Sequence, residues 1–323
     1  MRIMVAGGAG YVGAALVPKL VSRGYDVEVV DLFWFGNNLP ASVPARRADI
    51  IDLTPQDLAG FDQVVFLAGL SNDPMAEFSP ALNFVANAAC PAYLAYLAKR
   101  AGVKRFIYAS SCSVYGYTVD EFYDEDSPTV ARYPYGISKL QGEQAVLGLA
   151  DDAFSVIALR KGTISGYSPR MRFDLVVNTM FRTAVAEGII RVNNPSIWRP
   201  ILSMQDAVAA YVRAIEAGPE ISGVFNVASG NFTVGALGDL VREGAQLHLR
   251  KSVPIDIQHA HDFRNYKVSV LRAEHVLGFS PSQGIVDIVG ELADHLPEFG
   301  DFTRREYYNI ETFKSLDLRP RNG

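Results

Sequence analysis

The sequence predicts an α/β protein built on a doubly wound parallel sheet, with a smaller lobe formed by discontinuous C-terminal segments. Two observations predict the sheet. Short apolar segments alternate with helical segments of about 10–15 residues, and a glycine-rich turn joins the first strand to the first helix. The alternation stops after Gly166, which predicts the separate lobe. A chain of 323 residues is long enough for two domains of roughly 150 residues each.

The predicted elements of the sheet follow one another in a regular order. Strands are predicted over residues 3–6, 26–30, 63–68, 105–109, 154–160 and 224–227, and helices over 11–22, 83–101 and 135–149. Strands separated by such helices form βαβ units, which require a parallel sheet. The first domain is therefore predicted to cover residues 1–165 and to be completed by 201–228. Residues 166–200, with a helix over 175–187, and residues 229–323 are assigned to the smaller lobe.

Composition excludes several classes of protein. Apolar residues make up 49% of the chain, which supplies a core and excludes disordered and fibrous proteins. A net charge of −5 provides no basic surface for nucleic acid. The longest apolar runs, such as residues 64–70, are far shorter than the ~18–20 residues that cross a bilayer. Because no export signal precedes the first strand and two cysteines form no disulfide framework, we expect a soluble, cytoplasmic protein.

The glycine-rich turn has the spacing GxxGxxG. Gly7 permits the tight turn, Gly10 lets the backbone approach a pyrophosphate, and Gly13 lets the helix lie close to the strand. The N-terminus of the helix offers unpaired N–H groups to phosphates. Asp31 ends the second strand, 18 residues after Gly13, where a carboxylate accepts hydrogen bonds from ribose hydroxyls and repels a 2′-phosphate. The pattern predicts a dinucleotide site that prefers NAD to NADP.

A tyrosine and a lysine are spaced as YxxxK on the predicted helix 135–149. Tyr135 and Lys139 therefore lie on one face, where the ammonium lowers the tyrosine pKa and favours a general base. Ser111 follows the buried strand 105–109, so its hydroxyl emerges at the carboxyl edge of the sheet, where ligands bind. We expect this hydroxyl to hold a substrate oxygen while Tyr135 takes its proton.

With these motifs in this order, the sequence resembles the extended short-chain dehydrogenases/reductases, a family of Rossmann-fold enzymes, and within it the nucleotide-sugar epimerases and dehydratases. The resemblance covers nearly the whole chain and is clear to about residue 228. It implies Ser111, Tyr135 and Lys139 as the catalytic residues. It also implies NAD as the cofactor, bound by Gly7, Gly10, Tyr11, Val12, Gly13, Asp31, Asp49, Ile50, Leu67, Ala68, Gly69, Asn87, Tyr135 and Lys139.

The resemblance further implies a nucleotide diphosphate sugar as the substrate. The residues that it assigns to this substrate are Ser111, Tyr135, Thr163, Asn178, Arg199 and Arg264. Arg199, seven residues before Asp206, and Arg264 match arginines that contact the diphosphate, for which a guanidinium fork is well suited. Arg170 and Arg172 add positive charge to the same lobe. Thr163 replaces an asparagine that is usual in the family, which leaves the identity of the sugar open.

The segment after the catalytic serine narrows the reaction. Cys112 and Ser113 stand where dehydratases of the family carry an Asp–Glu pair and decarboxylases carry a Glu. The resemblance therefore favours an NAD-dependent epimerase that acts at C4 through a transient keto-sugar. Three alternatives stay open: an NAD(P)H-dependent nucleotide-4-keto-sugar reductase, a dehydrogenase of an apolar alcohol, and a non-catalytic dinucleotide sensor. The nucleotide, the sugar and the carbon are open as well.

Three features outside these motifs carry further expectations. His259 and His261 alternate as on a strand, with no cysteine nearby, so no metal site is expected. The acidic run 120–126 is expected to be a solvated loop. The helix over 83–101 is apolar on most sides and should be buried on two faces. In relatives this helix and the one that bears Tyr135 form a dimer interface, which implies a homodimer.

Overall fold

Seven parallel strands form the main sheet of the computed structural model, which describes residues 1–259 and 265–316 but not the side chains of 117–120. The strands are β1 (Arg2–Ala6), β2 (Asp26–Asp31), β3 (Ala45–Arg47), β4 (Gln63–Phe66), β5 (Arg105–Ser111), β6 (Tyr117–Tyr123), β7 (Ser155–Lys161), β8 (Thr163–Ser165), β9 (Ile190–Asn193), β10 (Trp198–Ser203), β11 (Gly223–Val227), β12 (Gly230–Thr233), β13 (Ile255–Gln258) and β14 (Asn265–Val268). The helices are α1 (Gly13–Ser22), α2 (Asp73–Phe78), α3 (Pro80–Phe84), α4 (Cys90–Arg100), α5 (Pro134–Leu147), α6 (Val176–Ala186), α7 (Met204–Glu216), α8 (Val234–Leu249), α9 (Ile285–Asp294), α10 (Leu296–Phe299) and α11 (Asn309–Ser315).

The main sheet has the strand order β11-β7-β5-β4-β1-β2-β3, and every pairing in it is parallel. This order confirms the predicted doubly wound α/β fold. From β1 the chain runs outward to β2 and β3 and then crosses back to β4 on the other side of β1. Ligands bind at such a switch point, outside the carboxyl ends of the strands. The loops after β1 and β4 therefore meet where the sequence predicted a cofactor.

Apolar layers cover both faces of the sheet, which explains why its central strands are apolar along their whole length. On one face, Leu16 and Leu20 of α1 lie in the same core cluster as Tyr211 of α7. On the other face, Leu94 of α4 and Val146 of α5 pack into a second cluster. Every residue of β4 and β5 is buried. The central strands are therefore held rigidly, with their carboxyl ends at one edge.

The smaller lobe has its own apolar cluster, formed mainly by α6, α8 and α9 together with the small sheets β12-β10-β8 and β13-β9. Its boundaries differ from the prediction at two places. Strand β10 pairs with β8 and β12 in a small sheet. Within the segment 201–228, therefore, only β11 joins the main sheet, and α7 packs on its face. Helix α11 returns to the first domain, where Phe313 packs with Leu70 and Met75.

The acidic run is solvated as expected at Glu121, Phe122, Asp124 and Asp126, but it is not a loop throughout, because it begins in strand β6. Strand β6 pairs in parallel with β14, and the side chain of Glu125, just beyond it, is buried. One carboxylate oxygen of Glu125, Oε1, accepts a hydrogen bond from the backbone N–H of Asn226 at 2.6 Å, and the other, Oε2, lies 3.7 Å from Nε of Arg272. Burial raises the pKa of Glu125, against these two stabilising contacts. The carboxylate therefore ties this segment to β11.

The helix predicted over 83–101 begins at Pro80 and contains one π-helical turn, Val85–Ala89, between α3 and α4. In the described part of the chain, Pro80–Arg100 is the one helix long and apolar enough to cross a bilayer, and 44% of its apolar window is buried in the protein. Its outer face exposes Val85, Tyr93 and Tyr96. This helix was expected to be buried on two faces, but in the single chain it is buried on one face only.

Candidate active-site cleft

A cleft of about 500 Å³ lies along the carboxyl edge of the main sheet and is lined by residues from both lobes. Most of the residues that the sequence assigned to the site are in its wall. They are Gly7, Gly10, Tyr11, Val12, Gly13, Leu67, Ala68, Gly69, Ser111, Tyr135, Lys139, Thr163 and Arg199. Within residues 1–259 and 265–316, no group of three or more His, Cys, Asp or Glu side chains gathers as a metal site requires.

The glycine-rich turn forms a cradle in which the backbone itself faces the cleft. Gly7 has a φ of +80°, and a Cβ there would lie 2.4 Å from the backbone nitrogen of Ala68, so only glycine fits. A Cβ on Gly13 would lie 2.3 Å from the carbonyl oxygen of Gly8. Helix α1 begins with no side-chain cap and no acidic residue in its first turn. Its unpaired N–H groups and positive dipole end are therefore available to a phosphate.

Asp31 lies at the carboxyl end of β2, just behind this cradle. Its Oδ2 accepts a hydrogen bond from the N–H of Ala9 at 2.9 Å, and its Oδ1 accepts one from Phe33 at 2.8 Å. Burial raises the pKa of Asp31, and these two N–H groups oppose that shift. A carboxylate has about four acceptor positions, so two bonds leave capacity for ribose hydroxyls. The glycine turn and Asp31 together fit the adenosine diphosphate portion of NAD.

Besides Asp31, which lies behind the cradle, three residues assigned to the cofactor do not line the cleft. Asp49 caps a short 3₁₀ helix by accepting a hydrogen bond from Ile51 N, and Ile50 packs into the core. Asn87 is fully buried, and its Nδ2 donates to the carbonyl oxygen of Leu70 at 2.9 Å. A Cβ on Gly69, whose φ is +133°, would lie 2.2 Å from Asn87 Oδ1. Asn87 therefore shapes the turn after β4 from behind.

Ser111, Tyr135 and Lys139 meet at the carboxyl end of β5. Ser111 is the last residue of that strand, and the other two lie one turn apart on α5. The Ser111 side chain is close enough to the Tyr135 hydroxyl to lower its pKa, and Oγ of Ser111 donates to Oγ of Ser113 at 3.1 Å. Nζ of Lys139 lies 6.0 Å from the centroid of the Tyr135 ring and donates to the carbonyl oxygen of Ala109 at 3.1 Å. The hydroxyl pair therefore opens onto the cleft, with the ammonium behind it.

Burial controls the ionisation of this group. It raises the pKa of Tyr135 by more than the Ser111 side chain lowers it. Burial, and the nearby charge of Lys161, hold the pKa of Lys139 well below its usual range. The pKa of Tyr135 is thus raised, not lowered toward neutrality as the sequence predicted. Positive charge close to the hydroxyl lowers such a pKa.

A buried ion pair supports the end of β5 from behind. Glu143 of α5 accepts hydrogen bonds from Nε and Nη2 of Arg160 at 3.0 and 2.6 Å, and from Oγ of Ser110 at 2.6 Å. Cys112 is buried as well, and its Sγ donates to the carbonyl oxygen of Arg160. Burial raises the pKa of the Cys112 thiol. Cys112 is therefore a packing residue that presents no thiolate to the cleft.

The residues assigned to the substrate separate into two groups. Thr163 and Arg199 line the cleft. Asn178 does not, because its amide is fully engaged: Oδ1 accepts from Gly166 N, and Nδ2 donates to Tyr11 Oη and to the carbonyl oxygen of Arg172. Asn178 therefore positions the wall from behind, and its assignment to the substrate stays a prediction. Arg264 and His261 lie outside the described residues.

Several polar residues of the wall escaped the sequence analysis, namely Ser71, Asp73, Lys161 and Asn309. Lys161 could have been found, because it is the register partner of Ser111 in the adjacent strand and its Cβ leaves the sheet on the same side. Asn309 carried no such signal. It reaches the cleft only because α11 folds back onto the first domain.

Comparison with known proteins gives relatives that act on nucleotide-sugars. A family model described as "NAD dependent epimerase/dehydratase family" matches residues 3–228. The chain is 32% identical over 200 residues to a UDP-glucose 4-epimerase of Azospirillum brasilense, over 59% of this chain and 55% of that enzyme. It therefore spans about half the length of that relative. It is 26% identical over 322 residues to UDP-glucuronic acid decarboxylase 4 of Arabidopsis thaliana, over 93% of this chain and 70% of that protein.

Solved structures agree in fold over almost the whole chain. MoeE5 in complex with UDP-glucuronic acid and NAD superposes with a TM-score of 0.81 at 26% identity, over 92% of this chain and 99% of MoeE5. The UDP-glucose 4-epimerase of Thermus thermophilus, solved with NAD, gives a TM-score of 0.78 at 23% identity, over 92% of this chain and 99% of that one. At that identity the second comparison supports the fold alone.

Proposed function

This chain belongs to the NAD dependent epimerase/dehydratase family, and from that premise we propose that it is an NAD-dependent nucleotide-sugar epimerase that inverts C4 through a transient keto-sugar. The observation that carries the proposal is the meeting of Ser111, Tyr135 and Lys139 in the cleft that the glycine turn also faces. When bound, NAD supplies the hydride acceptor and donor. UDP-sugars are the proposed substrates, because the relatives named above carry or act on them.

In the proposed reaction the protein itself transfers one proton, that of the C4 hydroxyl. Tyr135 takes the proton of the C4 hydroxyl while Ser111 donates a hydrogen bond to the same oxygen, which places both groups on one reacting atom. In its protonated form Lys139 favours the phenolate from one helical turn away, with Nζ 6.0 Å from the ring centroid, although burial opposes that protonated form. When the other face of the keto-sugar is presented, Tyr135 returns the proton to the carbonyl oxygen. The residues then stand as they began, as an epimerase requires.

The same geometry favours epimerisation over dehydration or decarboxylation. Those reactions use carboxylates directly after the catalytic serine, as the family resemblance implies. Here Cys112 is buried, and the Ser113 hydroxyl is hydrogen-bonded to Ser111 at 3.1 Å. Neither position supplies an acid and base for the elimination of water. Asp174, which lines the cleft, is engaged in a double hydrogen bond by Arg172. One tyrosine as acid and base is enough for epimerisation.

We also propose that the chain acts in the cytoplasm as a homodimer. The exposed face of helix Pro80–Arg100, which carries Val85, Tyr93 and Tyr96, supports the dimer because large apolar side chains on one helix are typical of interfaces. A sizing column with light scattering at micromolar concentration is expected to give twice the chain mass of 35.3 kDa. The mass of one chain would contradict the proposal.

The test of function is conversion of purified nucleotide-sugars. UDP-glucose, UDP-glucuronic acid and dTDP-glucose are incubated separately with enzyme and catalytic NAD, and the products are identified by NMR. We expect the C4 epimer of at least one of them, with no net formation of NADH. Tyr135→Phe should lower kcat by about 10²–10⁴-fold because the proton acceptor is lost. Conversion at the wild-type rate by this variant, or formation of NADH in step with a 4-keto-sugar, would contradict the proposal, the latter in favour of a reductase acting in reverse.

A further inference from the structure

A polar cluster from the smaller lobe and α11 closes one end of the cleft. Arg170 is only 3% exposed and lines the cleft, with its guanidinium carbon 3.7 Å from the centroid of the Phe35 ring. Its Nη2 donates a hydrogen bond to Oδ1 of Asn309, which also lines the cleft. Its Nε is buried and has no hydrogen-bond partner among the described residues. A buried donor without a partner is costly, so it indicates a ligand that supplies the acceptor.

The charge of Arg170 is also incompletely balanced. The carboxylate of Asp174 is held by Nε and Nη2 of Arg172 at 2.8 and 3.1 Å. Burial, together with the like charge of Arg172, lowers the pKa of Arg170 to about 9, so the guanidinium stays charged at neutral pH. A buried cation whose nearest carboxylate is engaged elsewhere favours an anion in the space that it faces.

The position of Arg170 indicates which anion this is. The Phe35 ring that the guanidinium covers is in the loop after β2, four residues beyond Asp31, whose carboxylate favours the charged form of Arg170. Tyr11 is tied to the smaller lobe, because its carbonyl oxygen accepts a hydrogen bond from Ser168 at 2.7 Å. The guanidinium thus lies at the end of the cleft where the loop after β2 adjoins the glycine turn.

We propose that Arg170 is a cofactor-binding residue that donates to the diphosphate of the dinucleotide, and that Asn309 of α11 is its positioning residue. The diphosphate is then held between two donors of different kinds, the backbone of the glycine turn on one side and a guanidinium on the other. This inference rests on the proposed function, because it assumes that the dinucleotide occupies the cradle.

Helix α11 contacts both lobes beside the proposed cofactor site. Asn309 Nδ2 donates to Oγ of Ser71 in the loop after β4 at 2.8 Å, and its backbone N–H donates to Asp174 at 3.2 Å. One turn of helix later, the Phe313 ring packs edge-on against Trp34 and Phe78, with 5.8 Å between centroids in each pair. The helix therefore joins the loops after β2 and β4 to the smaller lobe. Release of the dinucleotide requires these contacts to open.

The test compares ligand halves on the full-length protein. Calorimetry measures the binding of ADP-ribose, which carries the cofactor's diphosphate, and of UDP, which carries the substrate's. Arg170→Met, which keeps an apolar stem against Phe35, should weaken ADP-ribose binding by about tenfold or more and leave UDP binding within twofold of the wild type. Arg170→Lys should recover part of the loss. Arg242→Met, at an exposed arginine of α8 paired with Asp239, is the matched control and should change neither.

A second variant keeps the inference testable if Arg170→Met does not fold. Asn309→Ala should accelerate the dissociation of the bound cofactor by several-fold or more. The cofactor is first reduced to NADH, and its dissociation is followed by the loss of energy transfer from the protein to NADH. Unchanged ADP-ribose affinity in Arg170→Met and an unchanged dissociation rate in Asn309→Ala would overturn the inference while leaving the proposed function intact. Equal loss of ADP-ribose and UDP binding would also overturn it. If the wild type binds no ADP-ribose, the proposed function fails and the inference fails with it.

Discussion

Replacing Lys161 with methionine should stabilise the ligand-free protein, and the pH dependence of that gain identifies the ammonium as its cause. Lys161 ends β7 in the wall of the cleft, and its Nζ lies 5.9 Å from the centroid of the Tyr211 ring. Burial lowers the pKa of Lys161 from 10.5 to about 8. Folding therefore places a charged group where its neutral form is preferred. Methionine keeps the unbranched apolar stem and removes the charge.

The magnitude follows from the two pKa values of Lys161. Each pKa unit corresponds to 1.36 kcal/mol, so the difference between 10.5 and about 8 gives roughly 3 kcal/mol as an upper limit. Because the side chain is only partly buried, water in the cleft recovers some of this cost, and we expect about 2–3 kcal/mol. Below pH 8 both states bind the proton, and the wild type carries the full cost. Between about pH 8 and 10.5 the native state releases its proton first, so wild-type stability rises with pH and the two proteins converge.

The assay is urea unfolding, followed by the fluorescence of Trp34 and Trp198, at pH values near 7 and near 10.5. Lys161→Met should exceed the wild type in free energy of unfolding by about 2–3 kcal/mol at the lower pH and by less than about 1 kcal/mol at the higher. Lys104→Met, at an exposed lysine, is the control and should stay within about 0.5 kcal/mol of the wild type at both. A variant that is no more stable near pH 7, or a gain that does not change with pH, would refute the reasoning.

Three further substitutions test the support of the site. Glu143→Gln leaves a buried guanidinium without its counter-charge and should cost about 3–5 kcal/mol in urea unfolding; a loss below about 1 kcal/mol would argue against the ion pair. Gly69→Ala, at a φ of +133°, should cost at least about 2 kcal/mol, because its Cβ would lie 2.2 Å from Asn87 Oδ1, whereas Gly223→Ala, at a φ of +130° in open space, should cost clearly less. Ser111→Ala should lower kcat about 10²–10³-fold with little change in KM; a change confined to KM would contradict its role at the reacting oxygen.

The parts of the site that the sequence predicted correctly depend on local signals. The turn after β1 needs glycine because of the backbone of neighbouring residues, and the spacing of Tyr135 and Lys139 is fixed by one turn of helix. Both can be read in a few consecutive letters. The main sheet follows from the same kind of signal, since each of its central strands is a short apolar segment between helices.

The parts that the sequence did not predict depend on contacts between distant segments. Asn178 matched a substrate residue by resemblance, yet its amide is satisfied by Tyr11 of the first domain and by Gly166 and Arg172 of the loop before α6. Glu125 lies in a run of acidic residues, and only its contacts with Asn226 and Arg272 make it a buried group. No local pattern indicates which polar side chain will be enclosed, because the cost of burial is offset by residues that can lie far away in the sequence.

The central claim, oxidation and return of one hydrogen at C4, is tested most directly by isotope labelling. UDP-glucose and UDP-glucuronic acid, each deuterated at C4, are incubated with the enzyme and NAD in ordinary water, and the products are examined by NMR and mass spectrometry. We predict that the C4 epimer forms with deuterium retained at C4 and without net NADH. Loss of the deuterium to water, or a product that keeps the original configuration at C4, would contradict the account.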